Sequence, residues 1–202
     1  MCNTKLQKHI FKTSFASILT KLVDKIVEKC YDICKEMIEM VIRENYLNTL
    51  IDAKDTEFIK VVTGVRRSGK STLLLMYKEY LISNNIAEDR IIHINFESAM
   101  YDYIRNYKDL YEEIKNKLSK EKTYILLDEV QNVNEWEKAI NSINVDFNVD
   151  IYITGSNAYL LSSELSTLLS GRYIEIKMYP LSFKEYLKFN NYDISNIEEK
   201  FY

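Results

Sequence analysis

One stretch constrains what this chain can fold into more than any other: residues 58–75, reading FIKVVTGVRRSGKSTLLL. Phe58, Ile59, Val61, Val62 and Thr63 are aromatic or β-branched, the composition of a buried strand. Gly64, four residues and then Gly69-Lys70-Ser71-Thr72 follow, a full match to G-x-x-x-x-G-K-[ST]. Past the lysine the apolar spacing turns helical, through Leu73, Leu74, Met76, Tyr77, Tyr80 and Leu81. Strand, glycine-bounded loop and helix in that order make a phosphate cradle. Backbone N–H groups can wrap a polyphosphate only where side chains do not intrude, hence the two glycines. The first turn of the helix adds unpaired N–H groups and the positive end of its dipole. Gly64, Val65, Arg66, Arg67, Ser68, Gly69, Lys70, Ser71 and Thr72 are therefore the expected nucleotide-binding residues. Lys70 can reach the β- and γ-phosphates, and the Ser71 hydroxyl can complete the shell of a Mg²⁺ ion.

A second anchor is TYILLDE, residues 123–129, an apolar strand ending in two carboxylates. In phosphate-loop proteins this is the place of the metal's acidic ligand, here Asp128. A charge directly after Ile125, Leu126 and Leu127 is costly to hide without a partner, and Mg²⁺ would supply one. Glu129, next to it, is placed to polarise an attacking water as general base.

The rest of the chain alternates in the same way. Residues 91–96 read as a strand, with His93 as a satisfied core histidine, and residues 101–118 as a tyrosine-rich helix. A helix carrying Trp136, Ala139, Ile140 and Ile143 precedes a strand over 149–154 that ends in Gly155-Ser156-Asn157. Gly171-Arg172 turns into a last strand, 173–178, closed by Pro180. Five short apolar strands alternating with helices predict a three-layer α/β sandwich on a parallel sheet, with ligands at the carboxyl ends of the strands. Ahead of this lies an amphipathic stripe from Phe15 to Val41 with apolar residues near every 3.6 positions, the pattern of one long helix.

Composition excludes little beyond this. The 202 residues are 47% hydrophobic and 28% charged, with a net charge of -3, so no global charge draws the chain to nucleic acid or anionic membrane. Cys2, Cys30 and Cys34 are too few and odd in number for a disulfide framework, which fits a reducing cytoplasm. No apolar run approaches the roughly 20 residues of a membrane helix, so no membrane association is expected. No N-K-x-D base-recognition motif occurs, which favours ATP over GTP.

The run GVRRSGKST, then LLDEVQ, then ITGSNA, then GR and PLSFKEY resembles the prokaryotic AAA-superfamily ATPases often called archaeal-type ATPases, over about residues 40–186. The resemblance implies a three-layer α/β/α phosphate-loop NTPase whose parallel five-stranded sheet has the order 5-1-4-3-2. It implies Mg-ATP hydrolysis coupled to conformational change, with Asp128 on Mg²⁺, Glu129 as base and a sensor near Ser156 or Asn157. Asn95 matches the place of a polar switch for the catalytic glutamate. Arg172 resembles the family's arginine that reaches the γ-phosphate of a neighbouring subunit, which implies a homo-oligomer. Nucleic acid as client is family analogy alone. The domain organisation expected is a helical extension over 1–50, the ATPase domain over 51–190, and the start of a C-terminal region, cut short, over 191–202. The rival functions are a non-catalytic nucleotide-binding fragment and a small-molecule kinase. The adjacent Asp128-Glu129 pair favours water over a substrate hydroxyl as phosphoryl acceptor.

Overall fold

The computed structural model describes residues 43–156, 169 and 171–189. Residues Arg43–Tyr186 form one compact unit. The long helix expected over 15–41 lies outside the described residues.

The unit opens with α1 (Glu44–Asp52), followed by β1 (Ile59–Gly64) and α2 (Lys70–Ser83). Then come β2 (Ile91–Asn95), α3 (Tyr107–Lys117), β3 (Thr123–Asp128), α4 (Trp136–Asp146) and β4 (Val149–Ser156). It closes with β5 (Tyr173–Met178) and the start of α5 (Phe183–Phe189), up to Tyr186. All neighbouring strands pair in parallel, in the order β2-β3-β4-β1-β5, the order the resemblance implies read from the other edge.

Strand side chains alternate between two buried layers, because successive residues of a strand face opposite sides of the sheet. One face sends Val61, Ile94, Ile125, Leu127 and Ile153 against Leu110 and Ile114 of α3 and Trp136, Ile140 and Ile143 of α4. The other sends Val62, Tyr124, Leu126, Tyr152 and Ile176 against Leu50 of α1 and Leu73, Leu74, Tyr77 and Leu81 of α2. Strands buried on both faces read as continuous apolar runs, as VV, YILL and IYI do here.

Local chemistry sets several boundaries. The tyrosine-rich helix starts at Tyr107, later than its apolar pattern suggests, because Asn106 and Asp109 form a reciprocal capping box. A short 3₁₀ turn, Ala99–Tyr101, ends on the first residue of that stretch, and 102–106 are not helical. Beneath α2, at the end of the sheet away from the phosphate loop, Lys60 and Asp150 are fully buried as an ion pair at 2.5 Å. Tyr152 donates to Asp150 at 2.9 Å, Tyr77 meets the Tyr152 hydroxyl at 2.5 Å, and the Asp55 N–H donates to Asp150 at 2.8 Å. Burial pushes the Lys60 ammonium below its ordinary pKa against the pull of Asp150. These groups satisfy one another, as a buried polar cluster must. His93 does not follow the expectation of a satisfied core histidine: its Nε2 is buried without a partner among the described residues, and burial lowers its pKa.

Candidate nucleotide-binding site

The carboxyl ends of β1, β3 and β4 converge on the loop between β1 and α2. Its last glycine, Gly69, is left-handed at φ 94 and caps α2, so Lys70 opens the helix. The first helical bond runs from the Leu73 N–H to the Gly69 carbonyl at 2.9 Å, so the N–H groups of residues 70–72 form the open first turn. Arg67 is left-handed too, at φ 65. Beside this turn lies a cleft of about 390 Å³ whose lining includes Arg66, Lys70, Ser71, Thr72, Glu97 and Glu129.

Gly64 is required for a reason other than phosphate access. A Cβ there would stand 2.4 Å from the Met178 carbonyl oxygen and 2.8 Å from Ser68 Oγ. The loop leaves β1 packed directly on the end of β5, where no side chain fits. Ser68 Oγ is itself buried without a hydrogen-bond partner among the described residues.

Lys70 is buried at 3% exposure, and its ammonium donates to the carbonyls of Gly64 at 3.2 Å and Val65 at 3.3 Å. It also stands 3.4 Å from Glu129 Oε1. The lysine of the loop and the second acid of β3, far apart in sequence, thus share one ion pair. Asp128 is 1% exposed and accepts the Thr154 hydroxyl at 2.5 Å; among the described residues it has no cationic partner. A buried carboxylate in that state fits a cation. Asp128 and the Ser71 hydroxyl are the groups that would hold Mg²⁺, a hard ion that takes oxygen ligands.

Sequence reasoning missed two residues that hold the acids. Thr154 donates to Asp128 and accepts the Glu129 N–H at 2.9 Å, so one hydroxyl fixes both. The signal was available: Leu127 pairs with Ile153, which puts the next position of β4 opposite Asp128. Gln131 is the other. Its amide N–H donates to Glu129 Oε2 at 2.5 Å. A carboxylate only accepts, which fixes the amide's orientation and leaves Gln131 Oε1 buried without a partner among the described residues. Glu129 itself sits at φ 55, a left-handed backbone that costs about 1–3 kcal/mol and occurs preferentially at functional sites. Asn95, the expected switch residue, accepts the Glu97 N–H at 2.8 Å.

The remaining expected residues stand apart. Ser156 ends β4, and Asn157 lies outside the described residues. Arg172 is exposed, and its carbonyl accepts the Ile59 N–H at 3.0 Å, which places it beside the start of β1. The phosphate loop begins at the other end of that strand, roughly 16 Å away at about 3.3 Å per residue. Arg172 therefore does not reach its own cradle. Among the described residues it has no ion-pair partner.

The model of a family described as "AAA domain" matches residues 56–187. An uncharacterised protein of Haemophilus influenzae is 54% identical over 166 residues, 81% of this chain and 42% of that protein. One of Methanocaldococcus jannaschii, also uncharacterised, is 40% identical over 137 residues, 67% of this chain and 30% of its own length. The chain thus spans less than half of either relative. Among solved structures, a DNA polymerase III gamma subunit-related protein of Thermotoga maritima superposes with a TM-score of 0.53 at 16% identity, covering 77% of this chain and 52% of that one. Saccharomyces cerevisiae RIF2 superposes with a TM-score of 0.50 at 15% identity, covering 75% of this chain and 60% of the other. At these identities the likeness is one of fold. No helix among the described residues is long and apolar enough to cross a membrane.

Proposed function

Because the chain belongs to the AAA domain family, a family of nucleotide-binding, ATPase-like domains, we propose that it hydrolyses ATP to ADP and phosphate with Mg²⁺ as a motor or switch. The observation that carries this reading is the Lys70–Glu129 pair at 3.4 Å in a cleft lined by the helix start. It puts a proton acceptor beside the group expected to hold the phosphates.

Each residue then has a task. The N–H groups of residues 69–72 and the Lys70 ammonium bind the phosphate oxygens. Mg²⁺, when bound by Ser71 and Asp128, neutralises charge on the β- and γ-phosphates. Glu129 takes the proton of the attacking water, while Thr154 and Gln131 hold it in position. Water, not a second substrate, is the acceptor.

Phosphate release from ATP with no other substrate present is the test. Steady release that stops when Mg²⁺ is removed is the expected result. Nucleotide binding without release would leave a non-catalytic binding domain, and release only with an added hydroxyl compound would make it a kinase.

Arg172 has its part in an assembly. Exposed and at the far end of β1 from its own cradle, it would supply charge to a neighbouring subunit's γ-phosphate, where an arginine is worth roughly 10³ to 10⁵ in rate. Turnover per subunit should rise with protein concentration, and Arg172→Ala should remove the rise while sparing ATP affinity. A concentration-independent rate, equal in Arg172→Ala, would leave Arg172 as surface charge.

A further inference from the structure

Arg43 lies outside residues 56–187, which the family model matches, and outside every motif, yet its guanidinium bonds both to the phosphate loop and to the segment after β5. It stands at the N-terminus of α1, where its carbonyl accepts the N–H groups of Tyr46 at 3.0 Å and Leu47 at 3.2 Å. Leu50, fully buried against α2, fixes that helix and hence the arginine's position. The guanidinium is buried, at 8% side-chain exposure. Its Nη1 donates to the Ser68 carbonyl at 3.1 Å and to the Tyr179 carbonyl at 2.6 Å. Its Nη2 donates to the Pro180 carbonyl at 3.4 Å, and its Nε to Glu185 Oε1 at 2.9 Å. It stacks 4.5 Å over the ring of Tyr46, whose hydroxyl accepts the Tyr179 N–H at 3.3 Å. Glu185 in turn accepts the Ser182 N–H at 2.7 Å, and its own N–H donates to the Ser182 Oγ at 3.3 Å.

One guanidinium therefore joins the phosphate loop to the segment that follows β5. Across a planar trans peptide the C=O of one residue and the N–H of the next point in opposite directions. Holding the Ser68 carbonyl thus turns the Gly69 N–H away from Arg43, and among the described residues no acceptor takes that N–H. A charged donor on the carbonyl also polarises the peptide and strengthens its N–H as a donor. Lysine cannot replace this, because a point charge on a flexible stem does not present a fork of five donors.

We propose that Arg43 is a positioning residue for the phosphate loop: it sets the Ser68–Gly69 peptide for a nucleotide phosphate and ties the loop's occupancy to residues 179–186. The proposal rests on the reading of the loop as a nucleotide site. Phosphate binding at Gly69 would pull on a peptide whose other side is held by Arg43, and the same guanidinium holds Tyr179, Pro180 and Glu185.

The test combines ATP binding by calorimetry with amide hydrogen exchange, on the wild-type chain and on Arg43→Lys. ATP should bind the wild type and slow exchange both in residues 64–73 and at Tyr179, Ser182, Glu185 and Tyr186. Arg43→Lys, with an unchanged fold by circular dichroism, should bind ATP roughly 10- to 100-fold more weakly, the scale of a hydrogen bond from a charged group. At saturating ATP its protection should be confined to the phosphate loop, a loss of coupling that a merely structural role would not produce. Equal affinity in Arg43→Lys, or protection that still spreads to 179–186, would overturn the proposal and leave the nucleotide site standing. A wild type that fails to bind ATP would instead remove the nucleotide reading and the proposal with it. Should Arg43→Lys not fold, the wild-type exchange decides: ATP protection at 179–186 supports the coupling, and its absence there overturns it.

Discussion

Glu129→Gln should keep ATP bound while phosphate release in a single turnover falls about 10²- to 10⁴-fold, the usual contribution of a general base. The amide keeps the shape of the carboxylate and cannot accept the proton of water. Affinity should hold or rise, for a reason the geometry supplies. Lys70 is shared between loop carbonyls and Glu129 at 3.4 Å, and a phosphate must compete with that carboxylate for the ammonium. The neutral amide is a weaker competitor. The left-handed backbone at φ 55 should persist, because the Glu129 N–H remains bound to Thr154. Single-turnover release and equilibrium ATP binding, measured on the same preparation, separate the two effects. Turnover near the wild-type rate would move the base elsewhere, and Glu97, which lines the same cleft and faces Arg66 at 3.7 Å, is the next candidate.

The fold was legible because each layer writes its own period. Val61 and Val62, adjacent in sequence, enter opposite cores, and a strand buried on both faces has no choice but to be apolar throughout. The glycine-bounded loop then fixed where strand gives way to helix. The site was legible as far as its chemistry sits inside local motifs: Lys70 and Glu129 were each identifiable alone, although their contact was not. What escaped was set by register and by distant segments. Thr154 looks like one more β-branched strand residue until the pairing of β3 with β4 puts it opposite Asp128. Arg43 looks like the charged start of a surface helix until the Ser68 carbonyl, from 25 positions along the chain, arrives on its guanidinium. Lys60 reads as an interruption of an apolar strand, yet it is fully buried because Asp150 meets it on the neighbouring strand. The Gly64 requirement was seen, but its cause, the Met178 carbonyl of β5, belongs to a strand more than a hundred residues later.

Lys70→Ala should remove most of the ATP affinity, by the largest factor of any single change in the cradle. The ammonium is 3% exposed, so its charge already sits out of water and is aimed by two loop carbonyls at 3.2 and 3.3 Å. Hydrogen bonds to charged groups contribute about 1.5–3 kcal/mol each, and two such bonds to phosphate oxygens correspond to a loss of roughly 10² to 10⁴ in affinity. The substitution also frees Glu129 of its counter-charge, leaving a carboxylate of 12% exposure to repel the incoming phosphates, which adds to the loss. Lys70→Met separates charge from shape, since it keeps most of the buried stem and deletes only the ammonium. Both variants should unfold near the wild-type temperature, because the helix start and the strand ends that frame the loop remain. Calorimetric titration with ATP, beside thermal unfolding, reads the two quantities. Wild-type affinity in Lys70→Met with an intact fold would show that the loop between β1 and α2 does not bind phosphate.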